Sequence, residues 1–162
     1  MSIEQRLADL GLQLPATPSM PAGVVTAFSW VRTVGDRVLV SGHGAQNLDG
    51  SPTGPFGRVP DEVTPEQAMA SARAAALAVL SSLKSAIGEL DRITAWVTIT
   101  GFVQAQPGYP RTTAVINAFS EVVLDVFGDV VGQHARTAIG VAALPLNLPV
   151  VVAAELSLAP AN

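Results

Sequence analysis

Cysteine is missing from this chain, which excludes disulfides and thiolate metal sites. Histidine is nearly missing: only His43 and His134 occur, too few for a histidine-built metal centre. Charged residues make up only 14%, well under the usual quarter. Lys84 is the one lysine, the arginines are scattered, and the net charge is −4, so nothing offers nucleic acid a basic stripe. No stretch of about 18 apolar residues runs unbroken, so no membrane span is expected. The segment "MSIEQRLADLG" lacks an apolar signal core, which makes a cytoplasmic location the default expectation. Also absent are GxSxG, a phosphate-cradling GKT or GKS, HExxH and a dinucleotide fingerprint. "GHGAQNLDG" contains G-x-G but no helix follows it.

What is present is apolar. Hydrophobic residues make up 49% of 162 residues, enough for one domain (1–162) with a core of its own and too many for global disorder. A chain so poor in charge has to cover apolar surface, and self-association is the simplest way.

Punctuation along the chain sets out the elements. "SIEQ" reads as a capping box that opens a short helix stopped near Gly11, and the Pro-rich stretch 13–23 reads as a connector. "VTAFSWVRTV" and "DRVLVSG" flank Gly35-Asp36, a two-residue hairpin signal between two strands. Residues 43–63 form a Gly/Pro-rich loop, long for a compact domain. "TPEQ" at 64–67 opens the clearest helix, with Ala72, Ala76, Val79, Leu80, Leu83 and Ile87 at helical spacing before Gly88. "DRITAWVTITGFV" reads as a strand with Ile93, Ala95, Val97 and Ile99 on one face and Thr94, Trp96 and Thr98 on the other. "RTTAVINAFSEVVLDVFG" gives a second long helix with Ile116, Phe119, Val123 and Phe127 inward, and Asn117 and Glu121 on another stripe. Two strands joined through Leu144-Pro145-Leu146-Asn147 close the chain. The order β-β-α-β-α-β-β with helices on one face of a mixed sheet is α+β. The other face of the sheet would suit packing against sister subunits.

In "HARTAIGVAALPLNLPVVVAAELSL", no side chain is ionised between Arg136 and Glu155. An arginine opening so apolar a stretch either snorkels into solvent or grips a ligand.

"VLVSGHG", "AVINAF" and "ARTAIGVAALP", in that order across residues 24–158, resemble the Rid/YjgF family of imine and enamine deaminases, also known as L-PSP endoribonucleases. The N-terminal helix and the long 43–63 loop are similar to its YjgH-like branch. The resemblance implies a chorismate-mutase-like α+β fold and a homotrimer with pockets between subunits. It implies no metal or organic cofactor. The partner expected is a small carboxylate-bearing metabolite, with neither nucleic acid nor membrane.

For the site, the resemblance makes Arg136 the group that grips the carboxylate of a 2-imino or 2-enamino acid, through two parallel N–H···O bonds. Asn117 matches the family's helix asparagine, which lines the pocket; as a bare residue it is equally a helix-surface amide. Ser41 and Gly42 match a Ser-Gly step at the pocket wall, where a missing Cβ allows close approach. His43 stands where the family often has glutamine, and either donates to substrate or covers a strand edge. Phe28 falls where many deaminases carry a tyrosine, keeping the aromatic wall without the hydroxyl. His134 shares a face with Arg136 if the strand already runs there, and otherwise is a loop residue.

One departure stands out. Active deaminases typically present a glutamate fifteen residues beyond the arginine, and here that position is Val151. Glu155 lies four residues further, roughly 13 Å along the strand, so it cannot replace it. Val151 cannot hold a water or move a proton. His43, His134 and Glu121 are the alternative bases. The implied activity is hydrolytic deamination to a keto acid and ammonia. The alternative is a non-catalytic trimer that binds or senses an acid metabolite or assists a pathway enzyme. Ribonuclease activity is disfavoured by the acidic balance. Whether loop 43–63, with Phe56 and Arg58, closes over the pocket is left open.

Overall fold

The computed structural model describes residues 1–160. Three helices and five strands follow in the order α1 (Ile3–Asp9), β1 (Val31–Val34), β2 (Arg37–His43), α2 (Pro65–Ile87), β3 (Ile93–Gln104), α3 (Thr112–Val131), β4 (Ala135–Val141) and β5 (Val150–Leu158). This is the expected α+β architecture, with both long helices on one face of a mixed sheet.

The hairpin forms as expected: Val34 pairs with Arg37 across Gly35, whose φ of 62° suits glycine. The first strand is shorter than anticipated. It begins only at Val31, and residues 24–30, including Phe28, run outside the ladder. The α2 capping box is complete: Thr64 accepts from the Gln67 amide and the Gln67 side chain accepts from Thr64 N–H. The α1 box is only half made. Ser2 accepts from Gln5 N–H, but the Gln5 side chain donates forward to Asp9 at 2.8 Å.

The sheet order is β1-β2-β5-β3-β4. β4 and β5, although consecutive, are therefore not neighbours. β3 lies between them, antiparallel to β5 and parallel to β4. The two closing strands therefore do not pair with each other, and β4 is an edge strand with no fully buried residue. α2 lies over β2 and β5, and α3 over β3 and β4. Ala68, Ala72, Ala75 and Ala76 are almost completely buried, so small side chains let α2 sit close to the sheet. α3 is equally close at Gly101, where a Cβ would fall 2.6 Å from Ile116.

The alternation expected in β3 is broken. Irregularities between Ile93 and Ala95 and between Trp96 and Thr98 turn the buried series into Ile93, Trp96, Ile99. An extra residue at each step rotates the strand, so Trp96 faces the helices and packs edge-on against Phe119 and Phe127.

On the face away from the helices, Ile139, Phe102 and Val151 stand in one row across β4, β3 and β5. Leu39, Val97 and Ile139 are each about two-fifths exposed, at 39%, 44% and 43%. No helix of the described residues is long and apolar enough to cross a membrane.

Candidate functional site

Arg136 is the second residue of β4 and sits opposite Ile99 of β3, so its side chain rises on the helix side, against α3. There it donates from Nη1 to Ser120 Oγ at 3.0 Å, and from Nη2 to Asn117 Oδ1 at 2.9 Å and to the Thr113 carbonyl at 3.4 Å. Every acceptor is neutral. Among the described residues, no carboxylate lies within ion-pair distance of it. Burial pushes its pKa below the ordinary arginine value, but that value lies so far above neutrality that the guanidinium stays charged. A half-buried cation held by neutral groups and lacking a counterion is able to receive an anion.

Ser120 links this corner to His134. His134 Nδ1 lies 2.6 Å from the Gly132 carbonyl, and Nε2 lies 2.9 Å from Ser120 Oγ. A carbonyl only accepts, so in the neutral ring Nδ1 carries the proton and Nε2 accepts from the serine hydroxyl. The hydroxyl oxygen remains free to accept from Arg136. The sequence brought His134 and Arg136 together only by assuming an earlier start for the strand. In fact His134 precedes β4, and a helix serine joins the two. Ser120 was missed, although its place one helical turn after Asn117 was a usable signal.

The other expected residues lie elsewhere. Phe28, Gly42 and His43 line a cavity of about 230 Å³, together with Trp30, Gln46, Leu146, Leu148 and Val151. Gly42 is needed there, since a Cβ would fall 2.6 Å from Val151 Cγ1. Ser41 does not line the cavity. Its hydroxyl donates to the Ser29 carbonyl at 2.7 Å and ties the end of β2 to the segment before β1. His43 is only 1% exposed, with Nδ1 2.6 Å from the Ser41 carbonyl and Nε2 2.8 Å from Ser82 Oγ of α2. By the same reasoning it is neutral with the proton on Nδ1, and desolvation holds its pKa below the usual imidazole value despite the Ser41 contact. Both ring nitrogens are thus committed inside the fold.

The two other candidate carboxylates, Glu155 and Glu121, are paired. Glu155 pairs with Arg37 at 2.6 Å, and Glu121 with Arg73 at 3.1 Å on the outer surface. Loop 44–64 is anchored: Gly57 N–H donates to the Asn147 carbonyl and Val59 N–H to the Gln104 carbonyl, both at 2.9 Å. Arg58 borders a separate hollow beside Tyr109. No three His, Asp or Glu side chains converge on a metal position among the described residues.

Within one copy, therefore, the expected site falls into two parts. Arg136 and Asn117 meet on the α3–β4 side, and Phe28, Gly42 and His43 meet at the cavity.

No protein-family model matches the chain. It is 37% identical over 157 residues to Protein TCP17 of Trypanosoma cruzi, covering 96% of this chain and 94% of that one. Among solved structures, Atu1372 of Agrobacterium tumefaciens, a protein of unknown function, is 30% identical at a TM-score of 0.83, over 97% of this chain and 92% of that one. A candidate endoribonuclease of Shewanella oneidensis is 26% identical at a TM-score of 0.86, over 98% and 100% of the two chains.

Proposed function

The chain belongs to the Rid/YjgF family, whose solved structures include L-PSP endoribonuclease-like proteins of the same fold, and from that premise we propose that it binds a small carboxylate-bearing metabolite through Arg136. The carrying observation is the guanidinium itself: half-buried, ordered by Ser120, Asn117 and Thr113, and lacking a counterion among the described residues. An incoming carboxylate supplies the missing charge in a bidentate pair. Asn117 then steadies the guanidinium through Nη2.

The pocket is shared between copies. A homotrimer covers the apolar row Ile139, Phe102, Val151 and brings the Arg136 corner of one copy to the cavity of the next. The charge-poor composition and the exposed Leu39, Val97 and Ile139 support this reading.

The reaction is hydrolytic deamination of a reactive 2-imino or 2-enamino acid. An enamine first tautomerises to the imine. Water adds to C2 of the imine, both its protons end on nitrogen, and ammonia leaves to give the 2-keto acid. Holding the carboxylate fixes C2 for attack, and positioning alone accelerates so facile a hydrolysis. Val151 supplies no group to orient the water. His43 is closed off, and Glu121 is engaged with Arg73, which leaves His134, joined to Arg136 through Ser120, as the remaining one of the three candidate bases.

A second reading is favoured by Val151: a trimer that binds the acid without turning it over, as sensor or helper of another enzyme. Ammonia release from freshly generated 2-aminoacrylate separates the two. A deaminase gives a wild-type rate above both the uncatalysed rate and that of Arg136→Ala. Equal rates for wild type and Arg136→Ala overturn the enzyme reading. Val151→Glu restores a carboxylate at the wall, and a rise of tenfold or more, about 1.4 kcal/mol of barrier, is expected if positioning of water limits the reaction. Ribonuclease activity, which the Shewanella protein's description suggests, is disfavoured by the net charge of −4.

A further inference from the structure

Three side chains at the α3–β4 corner form one run of hydrogen bonds. Arg136 Nη1 donates to Ser120 Oγ at 3.0 Å, and Ser120 Oγ meets His134 Nε2 at 2.9 Å. The ring is fixed at its other end, where Nδ1 donates to the Gly132 carbonyl at 2.6 Å. Guanidinium and imidazole are thus joined through a single oxygen, which puts Nη1 and Nε2 no more than about 6 Å apart. Ser120 is buried and His134 half-buried, so the link is sheltered while the ring keeps a path to solvent.

Few other charges bear on the ring. From β4 it meets Arg136, through Ser120. α3 carries Glu121, paired with Arg73 of α2 at 3.1 Å, and the exposed Asp125 and Asp129. α1 reaches α3 with Arg6, which donates to the Asp125 carbonyl at 2.9 Å. β3 brings the neutral Thr98 opposite Ala135, the residue after the ring. Among the described residues no carboxylate lies within ion-pair distance of His134.

The serine lets the link run in either direction. A hydroxyl has one proton and two lone pairs. With a neutral ring it donates to Nε2 and accepts from Arg136. With a protonated ring, Nε2–H donates to Oγ, whose second lone pair still accepts from Arg136. The hydroxyl proton then turns to the carbonyl four residues back on α3, that of Ile116, a common acceptor for helix serines. The guanidinium stays braced either way, and protonation adds a second positive charge beside the first.

We propose that Ser120 and His134 are positioning residues for the anion at Arg136, and that His134 takes up a proton as the anion binds. This rests on the reading above for the anion itself. A carboxylate on Arg136 offsets the guanidinium and favours the imidazolium; by reciprocity the imidazolium tightens the hold on the carboxylate. Histidine is the side-chain type that changes charge between about pH 5 and 8, so the grip strengthens as the surroundings turn acidic.

Titration with pyruvate, the keto acid that 2-aminoacrylate yields, tests it, because its carboxylate stays ionised across that range. Wild-type affinity is expected to rise at least about fivefold from pH 8 to pH 5. Calorimetry in buffers of different ionisation enthalpy should show proton uptake on binding near pH 6.5, the ordinary imidazole midpoint of about that value. His134→Gln keeps a hydrogen-bonding side chain beside Ser120 but takes no proton, and its affinity should not vary with pH. Ser120→Ala cuts the link and should bind a few-fold more weakly and respond less to pH; Ser120→Thr keeps the hydroxyl and should restore both. His43→Gln, altered at the sealed ring, should keep the full slope. A slope that survives in His134→Gln overturns the proposal. So does wild-type binding that takes up no proton, a measurement that decides the matter even if His134→Gln fails to fold. If binding is lost in Arg136→Ala yet is independent of pH in the wild type, this proposal fails alone and the Arg136 reading stands. Pyruvate binding that is equal in wild type and Arg136→Ala, or absent from both, overturns the Arg136 reading and this inference with it.

Discussion

His43 and His134 are built alike and serve differently. In each, Nδ1 bonds the carbonyl two residues back and Nε2 meets a helix serine, Ser82 for His43 and Ser120 for His134. The first unit ends there, sealed between β2 and α2 with the ring 1% exposed. The second continues, because Ser120 also accepts from Arg136. The same three-part motif is a structural tie in one place and a brace for a charged side chain in the other. What distinguishes them is the third partner on the serine.

The sharpest break in that comparison removes the third partner. Arg136→Ala is expected to weaken binding of a carboxylate ligand by at least a hundredfold, since two charge-assisted bonds are worth roughly 3 kcal/mol or more. Arg136→Lys should fall in between, because an ammonium offers a point charge without the planar fork. Ligand titration reads both.

Next comes Ser82→Ala, which strands the buried Nε2 of His43. Denaturant unfolding should show a loss of about 1–3 kcal/mol with ligand affinity unchanged in the folded fraction. Ser120→Ala should do the reverse. His134 is only half-buried and water replaces the hydroxyl, so stability falls by less than about 1 kcal/mol while affinity drops a few-fold. A large stability loss in Ser120→Ala, or a binding defect in Ser82→Ala, would erase the distinction.

A smaller effect is expected from pH. Burial holds the folded His43 pKa below the unfolded value of about 6.5. Below that pH the unfolded chain takes a proton that the folded chain refuses, so stability falls as pH drops, by at most about 1.4 kcal/mol per unit. Above it both states are neutral and the contribution vanishes. Unfolding midpoints between pH 8 and 5 should slope for the wild type and flatten in His43→Gln.

Much of this was legible beforehand. Thr64 and Gln67, Gly35 and the alanine stripe of α2 act through neighbours in sequence, and local spacing reveals them. Trp96 misled because bulges arise from how β3 fits β5, which no single strand encodes. The adjacency of β4 and β5 in sequence hid the insertion of β3 between them. Arg136 and Asn117 were found through resemblance and do meet. Ser82 was invisible because its partner lies 39 residues away on another element.

The outer rim of β4 has one consequence of its own. Its backbone is zipped to β3 on one flank and, among the described residues, to no strand on the other. The guanidinium at its start is therefore moored to an outer ribbon of the sheet. In a trimer of the kind proposed, whatever clasps that free flank would also steady the hand offered to the anion, so dilution should slacken the grip before it unravels the fold.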